Sequence, residues 1–501
     1  MKYLNLLKST VISMVLCLTA WIANANHLQI QNVTVISNTQ ISFQVAWENA
    51  WNIQQAPANH DAVWIFIKYK KNNDAWQHLH LSSQTAQHWA ENPLIVDAVP
   101  DEKGVFVKKN TLGNSHIPFT NITLKIATPL EPAHYRFKVF GIEMVYIPQG
   151  SFYVGDSASI NRLGTFPSFA PFLIQNEDSI LVGNTAGRLS SAGLYTPAAH
   201  IPATFPKGFQ AFYTMKYEIT QQQYSDFLNC LTLEQQTNRT ANSPHSAVGT
   251  LALSQSGSFR NGIRIKQVAS GNMPAVYGCD ANHNGIFDEI DDGQNRACNF
   301  LNWADLTAYL DWAALRPMTE LEFEKICRGN LLPIAGELAF GTPFATDANT
   351  LLLDGTPQET VTEQVSGNVG LASFGYAGPQ GGLRVGFAAK ANSNRLSAGA
   401  AYFGVMEMSG NLWEQTVCVC TTEGLQFTAE PGDGNLSETG NANTDTWGNT
   451  TTAEAGGYRG GAWLSGFFAV GQFRDVAISD RFYAGLLPTL RRNTSGGRGV
   501  R

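Results

Sequence analysis

Charge is scarce in this chain. Only 15% of its 501 residues are Asp, Glu, Lys or Arg, against roughly 25% in an average globular domain. With 44% hydrophobic residues and 11 tryptophans, that scarcity excludes a disordered chain, which is poor in aromatics and rich in net charge. The Ala/Glu/Lys/Leu excess of a long coiled coil or helical bundle is missing too. There is no basic surplus: the formal net charge is −7, which argues against a nucleic-acid role. Beyond the N-terminal segment no apolar run approaches the ~20 residues that span a bilayer, so no stable membrane insertion is expected. No histidine follows His283, which excludes a Ser–His–Asp triad built within residues 284–501. What is present is 46 glycines and much Trp and Asn, the composition of a loop-rich, β-containing fold. The length gives a prior of roughly two to four domains and can bury a full core without staples.

The first 25 residues read as a signal rather than as structure. Lys2 and Lys8 precede an apolar run from Val11 to Ala23, and Ala23-Asn24-Ala25 fits small-x-small cleavage. Cys17 raises lipid attachment as an alternative, but Leu16 stands where that signal wants a small residue. Cleavage near Ala25 predicts a secreted or extracytoplasmic protein, in the periplasm or at the cell surface. Removing Lys2 and Lys8 leaves 31 bases against 40 acids, a net charge of −9, in a compartment that permits disulfides.

Residues 26–141 read as a β-sandwich-like module. Ile41, Phe43, Val45 and Trp47 alternate with polar residues, the period of a half-buried strand. Val63–Tyr69 is nearly all apolar and fits a central strand, and His134–Gly141 a closing one. His78 and His80 share one strand face, which predicts a solvated strand rather than a metal site, since no third ligand is in view. From residue 143 the run EMVYIPQGSFYVGD predicts a hairpin opening a second domain, 142–501. Residues 157–206, rich in Ser, Gly and Pro, predict surface loops. Helices are expected after Thr220 and Thr319, each with Gln or Glu three residues on, and after Asn302. Trp303, Leu306, Leu310 and Ala314 predict an apolar stripe, and Gly329 a helix stop. After 330 no helical period persists. The fold class is therefore α+β.

Six motifs in order carry a resemblance: MVYIPQGSFYVGD (144–156), MKYEITQQQYSDFLN (215–229), LRPMTELEFEKICRG (315–329), FGVMEMSGNLWEQ (403–415), YRGGAW (458–463) and GGRGVR (496–501). The segment 142–501 resembles the formylglycine-generating enzyme, or sulfatase-modifying factor, domain family. The resemblance implies a loop-rich, C-type-lectin-like domain. It also implies copper(I) held by two cysteines after the RGG motif, oxidising a sulfatase cysteine with O₂. At those two positions this chain has Ser465 and Val470. Copper(I) is soft and needs thiolate or thioether ligands, which a hydroxyl and an isopropyl group do not supply. The related sulfoxide synthases hold iron with histidines of an added helical domain that is not visible here. No copper or iron is expected, and formylglycine chemistry is predicted to be absent. A metal-dependent oxidase with a non-standard site is the alternative. Cys418 and Cys420, at i and i+2, would share a strand face and meet a soft metal, pack in the core, or form disulfides.

Calcium is the expected cofactor. Residues 280–291 place Asp280, Asn282, Asn284, Asp288 and Asp291 at loop positions 1, 3, 5, 9 and 12, with Gly285 at 6 and the Ile286 carbonyl at 7. Cys279 and Cys298 bracket this loop, and a bridge between them is expected. The resemblance implies a second calcium on the side chains of Glu407 and Glu414 and the carbonyls of Gly410 and Leu412.

The segment 459–501 holds seven arginines, no lysine, and Asp475 and Asp480. The family's substrate face is implied here. One expectation is a groove for an anionic, protein, peptide or glycan ligand lined by Arg459, Trp463, Phe467, Phe468, Arg474, Arg481 and Tyr483, with Phe482 adding contact area. The other is that Arg474, Arg481 and Arg498 pair with carboxylates and hold the loops. Some proteins of this fold diversify their C-terminal segment, and Leu464–Gln472 and Phe482–Asn493 would suit such variation. Relatives lacking the cysteines occur as structural parts of bacterial gliding and secretion machinery. The functional expectation is therefore a non-catalytic, secreted protein that binds a ligand or self-associates in an extracellular assembly.

Overall fold

The computed structural model describes residues 27–466 and 475–501. The signal reading of residues 1–25 lies outside them, as do Phe467, Phe468, Val470 and Arg474. The molecule is mostly sheet and loops, 9% helical and 30% strand, in keeping with α+β.

Two sheets organise the first part. One runs in the order Gln29–Ser37, Gln40–Asn52, Gly113–Lys125, Trp89–Ala90. The other runs Arg316–Pro317, Gly499–Val500, Phe212–Met215, Tyr135–Ile147, Asp61–Lys71, Val105–Lys109, Leu94–Ala98. They share one apolar cluster, in which Phe43, Val45 and Trp47 meet Val63, Ile65, Ile67 and Val107. The alternation read in residues 41–47 is the buried face of a strand, and the continuous run 63–69 is central because both its faces are covered. Its second face, through Trp64 and Phe66, packs on a larger cluster that includes Trp303, Leu310 and Trp312. The Trp64 Nε1–H donates to the Ala313 carbonyl at 2.9 Å.

The strand Tyr135–Ile147 corrects the expected hairpin. One edge pairs with Asp61–Lys71 along its length, and Met144–Ile147 on the other edge pairs with Phe212–Met215. With both edges taken there, the chain past Pro148 cannot fold back onto it. Phe152–Val154 pairs instead with Phe172–Ile174. Position 141/142 thus falls inside one continuous strand. The stretch 157–206 is not all surface: Leu189, Ile201 and Phe205 are fully buried.

The three expected helices form, each behind a complete capping box: α1 (Gln221–Leu228) behind Thr220, α3 (Trp303–Trp312) behind Asn302 and α4 (Glu320–Arg328) behind Thr319. Two short ones were not expected: α2 (Leu233–Arg239), also box-capped, and α5 (Thr422–Leu425). The stripe read on α3 understates its burial. Every residue of α3 is buried, Asp305 and Asp311 included. No described helix is long and apolar enough to cross a membrane.

Candidate functional site

All nine residues of α4 are buried although five are charged. Glu320 holds two arginines. Arg481 binds it with Nε at 2.6 Å and Nη2 at 2.9 Å, and Arg459 Nη1 reaches it at 3.0 Å. Arg459 also meets Glu324 at 3.1 Å, and Arg328 bridges Glu324 and Glu337. Burial pushes the Glu320 carboxyl up, but Arg481 and Arg459 outweigh it and hold the group below the ordinary carboxylate value. Arg459 and Arg481 are both 0% exposed, so neither guanidinium lines a groove. This is a correction to the ligand-binding expectation, and the loop-holding expectation describes these two side chains. Trp463 is also buried, its Nε1 donating to the Asn493 carbonyl at 3.1 Å. Phe482 and Tyr483 remain half-buried at the surface, with Tyr483 edge-on to Trp413 at 5.1 Å.

A second buried cluster gathers three carboxylates around one guanidinium. Arg498 Nε pairs with Glu414 Oε1 at 2.6 Å, and its Nη2 donates to the Met406 carbonyl. Glu218 accepts from the Leu412 N–H at 3.0 Å and from Asn411 Nδ2. Glu407 accepts from the Gly386 N–H at 3.0 Å. Glu407 Oε2 and Glu414 Oε2 are buried with no hydrogen-bond partner. Burial pushes the Glu407 carboxyl up to about 7. Burial and then the charge of Glu414 push Glu218 far above the ordinary range. The motif around 407–414 singles out Glu407, Gly410, Leu412 and Glu414. Glu218, almost two hundred residues earlier, carries no sequence signal linking it to them. Gly410 is required by its surroundings: its φ is +86°, and a Cβ there would lie 2.2 Å from the Ser373 carbonyl oxygen.

The loop 280–291 is partly assembled. Asn282 Nδ2 donates to Asp291 Oδ1 at 3.2 Å, and Asn284 Oδ1 accepts from the Ile286 N–H at 2.7 Å. Asp280 is buried with Oδ1 unpartnered, and so is Asp292, one residue past the expected set. Asp288 departs from the expectation. It turns back to accept from the Cys279 N–H and to pair with Lys266 at 2.7 Å, because the lysine and the sheet edge offer it donors. Among the described residues no three His, Cys, Asp or Glu side chains converge as a metal cluster. Both candidate cation sites would lean on amide and carbonyl oxygens.

Ser465 is buried, and its Oγ accepts from the Ala462 N–H at 2.9 Å. Cys418 and Cys420 are joined as a disulfide, which settles their alternatives against a free thiol pair. The expected Cys279–Cys298 bridge is not formed. Both are free and buried, and burial raises both thiols. His78 also needs correction, being buried rather than solvated. Its Nδ1 accepts from Lys68 Nζ at 3.0 Å, which fixes Nε2 as the donor to the Lys103 carbonyl at 2.6 Å. Lys68 is itself buried over Trp312, and burial pulls its ammonium down to about 7.

A family model described as the sulfatase-modifying factor enzyme 1-like domain matches residues 137–498. A search of curated proteins finds no match.

Proposed function

Because the chain belongs to the sulfatase-modifying factor family, we propose that it is an extracytoplasmic binding or structural member that lacks formylglycine chemistry and is held by calcium. The observation that carries this reading is the chemistry at Ser465. The resemblance implies a copper-binding cysteine at that position, and here a buried hydroxyl closes a turn. Neither it nor Val470 is a ligand for soft copper(I). Among the described cysteines Cys418 is bonded to Cys420, and burial pushes the free thiols of Cys230, Cys279, Cys298 and Cys327 up, away from the thiolate that binds copper(I).

The unpartnered oxygens of Glu407, Glu414 and Asp280 support calcium. A buried polar oxygen left without a partner is costly, and hard oxygen donors suit this ion. Glu407 and Glu414, with the carbonyls of Gly410 and Leu412, would hold one ion. Asp280, Asn282 and Asp291 would contribute to the other. The half-buried rings of Phe482 and Tyr483 support a recognition surface near the C-terminal segment.

Two measurements test the reading. Co-expression with a sulfatase-type cysteine peptide is expected to leave aldehyde at background, and aldehyde above background overturns the loss of activity. Metal analysis of the purified protein is expected to find calcium. Copper or iron at one per chain would replace this reading with an oxidase using a non-standard site.

A further inference from the structure

A cleft of about 430 Å³ lies where the first sheet meets the loop 389–406, within the roughly 300–1,000 Å³ typical of small-molecule sites. Trp51, Asn59 and Asn114 come from one wall; Lys390, Arg395 and Tyr402 come from the other. Asn59 ties the walls together. Its Oδ1 accepts from Trp51 Nε1 at 3.2 Å, and its Nδ2 donates to the Phe403 carbonyl at 2.8 Å. Gly404 has φ +88°, and a Cβ there would lie 3.3 Å from the Trp51 ring, so the indole rests against bare backbone.

The charge of the lining is one-sided. It contains Lys216, Lys390 and Arg395 but no Asp or Glu, in a chain of net charge −7. Lys216 is paired with Glu143 at 3.0 Å. Lys390 and Arg395 instead donate to backbone carbonyls, of Val361 at 3.2 Å and of Ala339 at 2.7 Å. Their charges face no carboxylate within salt-bridge distance among the described residues. The Arg395 guanidinium stands 5.6 Å from the Tyr402 ring. Asn394 and Ser393 complete a rim of amide and hydroxyl groups.

We propose that this cleft binds an acidic sugar, a hexuronate unit or a short uronate oligomer. The apolar C–H face of a sugar ring packs on the indole and phenol, and its hydroxyls exchange hydrogen bonds with the exposed Asn114 and Asn394. Its carboxylate takes the charge-assisted bonds of Lys390 and Arg395, the strongest on offer. Cations alone would accept any small anion, and aromatics alone any apolar ligand; the combination selects a sugar acid. The site deepens the binding reading above and rests on it.

The test is isothermal titration of the full mature protein with digalacturonate at low salt, beside galactobiose and inorganic phosphate. Saturable binding of digalacturonate is expected, falling as salt is added. Lys390→Glu, at an exposed position, is expected to weaken it by about tenfold or more. No saturable heat with digalacturonate overturns the proposal, and so does unchanged affinity in Lys390→Glu. Equal affinity for galactobiose or for phosphate overturns the sugar-acid assignment. If the calcium-dependent rise in melting temperature persists without digalacturonate binding, the cleft fails and the calcium-held scaffold stands.

Discussion

Glu320→Gln isolates the energetics of the buried charge network, because it removes one charge while keeping the shape. Arg481 has no other carboxylate within ion-pair distance among the described residues. It keeps the Tyr195 carbonyl at 2.8 Å and a long contact to Ser191. Arg459 keeps Glu324 at 3.1 Å. The variant therefore strands one fully buried guanidinium and weakens the hold on a second. Removing one partner of a buried pair costs about 3–5 kcal/mol, and the partial loss at Arg459 places this case near the middle, about 4 kcal/mol. Against a whole stability of about 5–15 kcal/mol, that is a large fraction, and for a cooperative unit of this length the melting temperature should fall by roughly 4 °C. Urea denaturation with an unchanged m-value is the assay. The double variant Glu320→Gln/Arg481→Met should be more stable than Glu320→Gln alone, since it removes the stranded charge. The pH dependence gives a second check. The Glu320 carboxyl is lowered in the folded protein relative to its ordinary 4.5, so its contribution is full above 4.5 and is lost as pH falls through the folded value. The acid limb of the stability profile should be shallower in the double variant. A loss under about 1 kcal/mol in Glu320→Gln, or a double variant worse than the single one, would refute the assignment of these arginines to internal support.

Lys68→Met should change the alkaline side. Lys68 titrates near 7 folded against 10.5 ordinarily, so the folded state sheds its proton first and stability should rise with pH between those values. The variant should flatten that rise in denaturant midpoints measured from pH 7 to 10. Gly329→Ala places a Cβ 2.2 Å from the Tyr402 ring at φ +64°; it should cost about 1–3 kcal/mol in urea denaturation. Thr319→Ala removes the hydroxyl that accepts from the Glu322 N–H and should cost about 1 kcal/mol by the same assay. Calcium should raise the melting temperature, by an equivalent of about 2.7 kcal/mol at a hundredfold excess over Kd. Asp280→Ala should remove the part of that rise owed to the loop 280–291.

What the sequence discloses here depends on range. Capping boxes are local, so α1, α3 and α4 were legible to the residue at their starts, and α2 could have been found from Thr232 and Gln235 by the same rule. The central strand 61–71 was legible because a strand covered on both faces needs an apolar residue at nearly every position. Pairing is not local. The run 143–156 has hairpin chemistry, yet the strand's free edge is claimed by residues 212–215. The arginines illustrate the same limit. Their number shows in the composition, but that Glu320 and Glu324 wait for Arg459 and Arg481 inside the domain requires α4 to be in place. Glu218 joins Glu414 only through the fold, and His78 departs from the solvated expectation because a strand's solvent face can be covered by a distant loop, here the one carrying Gly434.

The strand Tyr135–Ile147 carries a mechanical consequence. Its hydrogen bonds run to Asp61–Lys71 along one edge and to Phe212–Met215 on the other, which in turn adjoins Gly499–Val500. A load applied through the strand Asp61–Lys71 would reach the family domain across these pairs rather than through a flexible tether. Force along that strand strains many backbone hydrogen bonds together, in shear, instead of opening them one after another. Under such a load the two halves would yield as one piece.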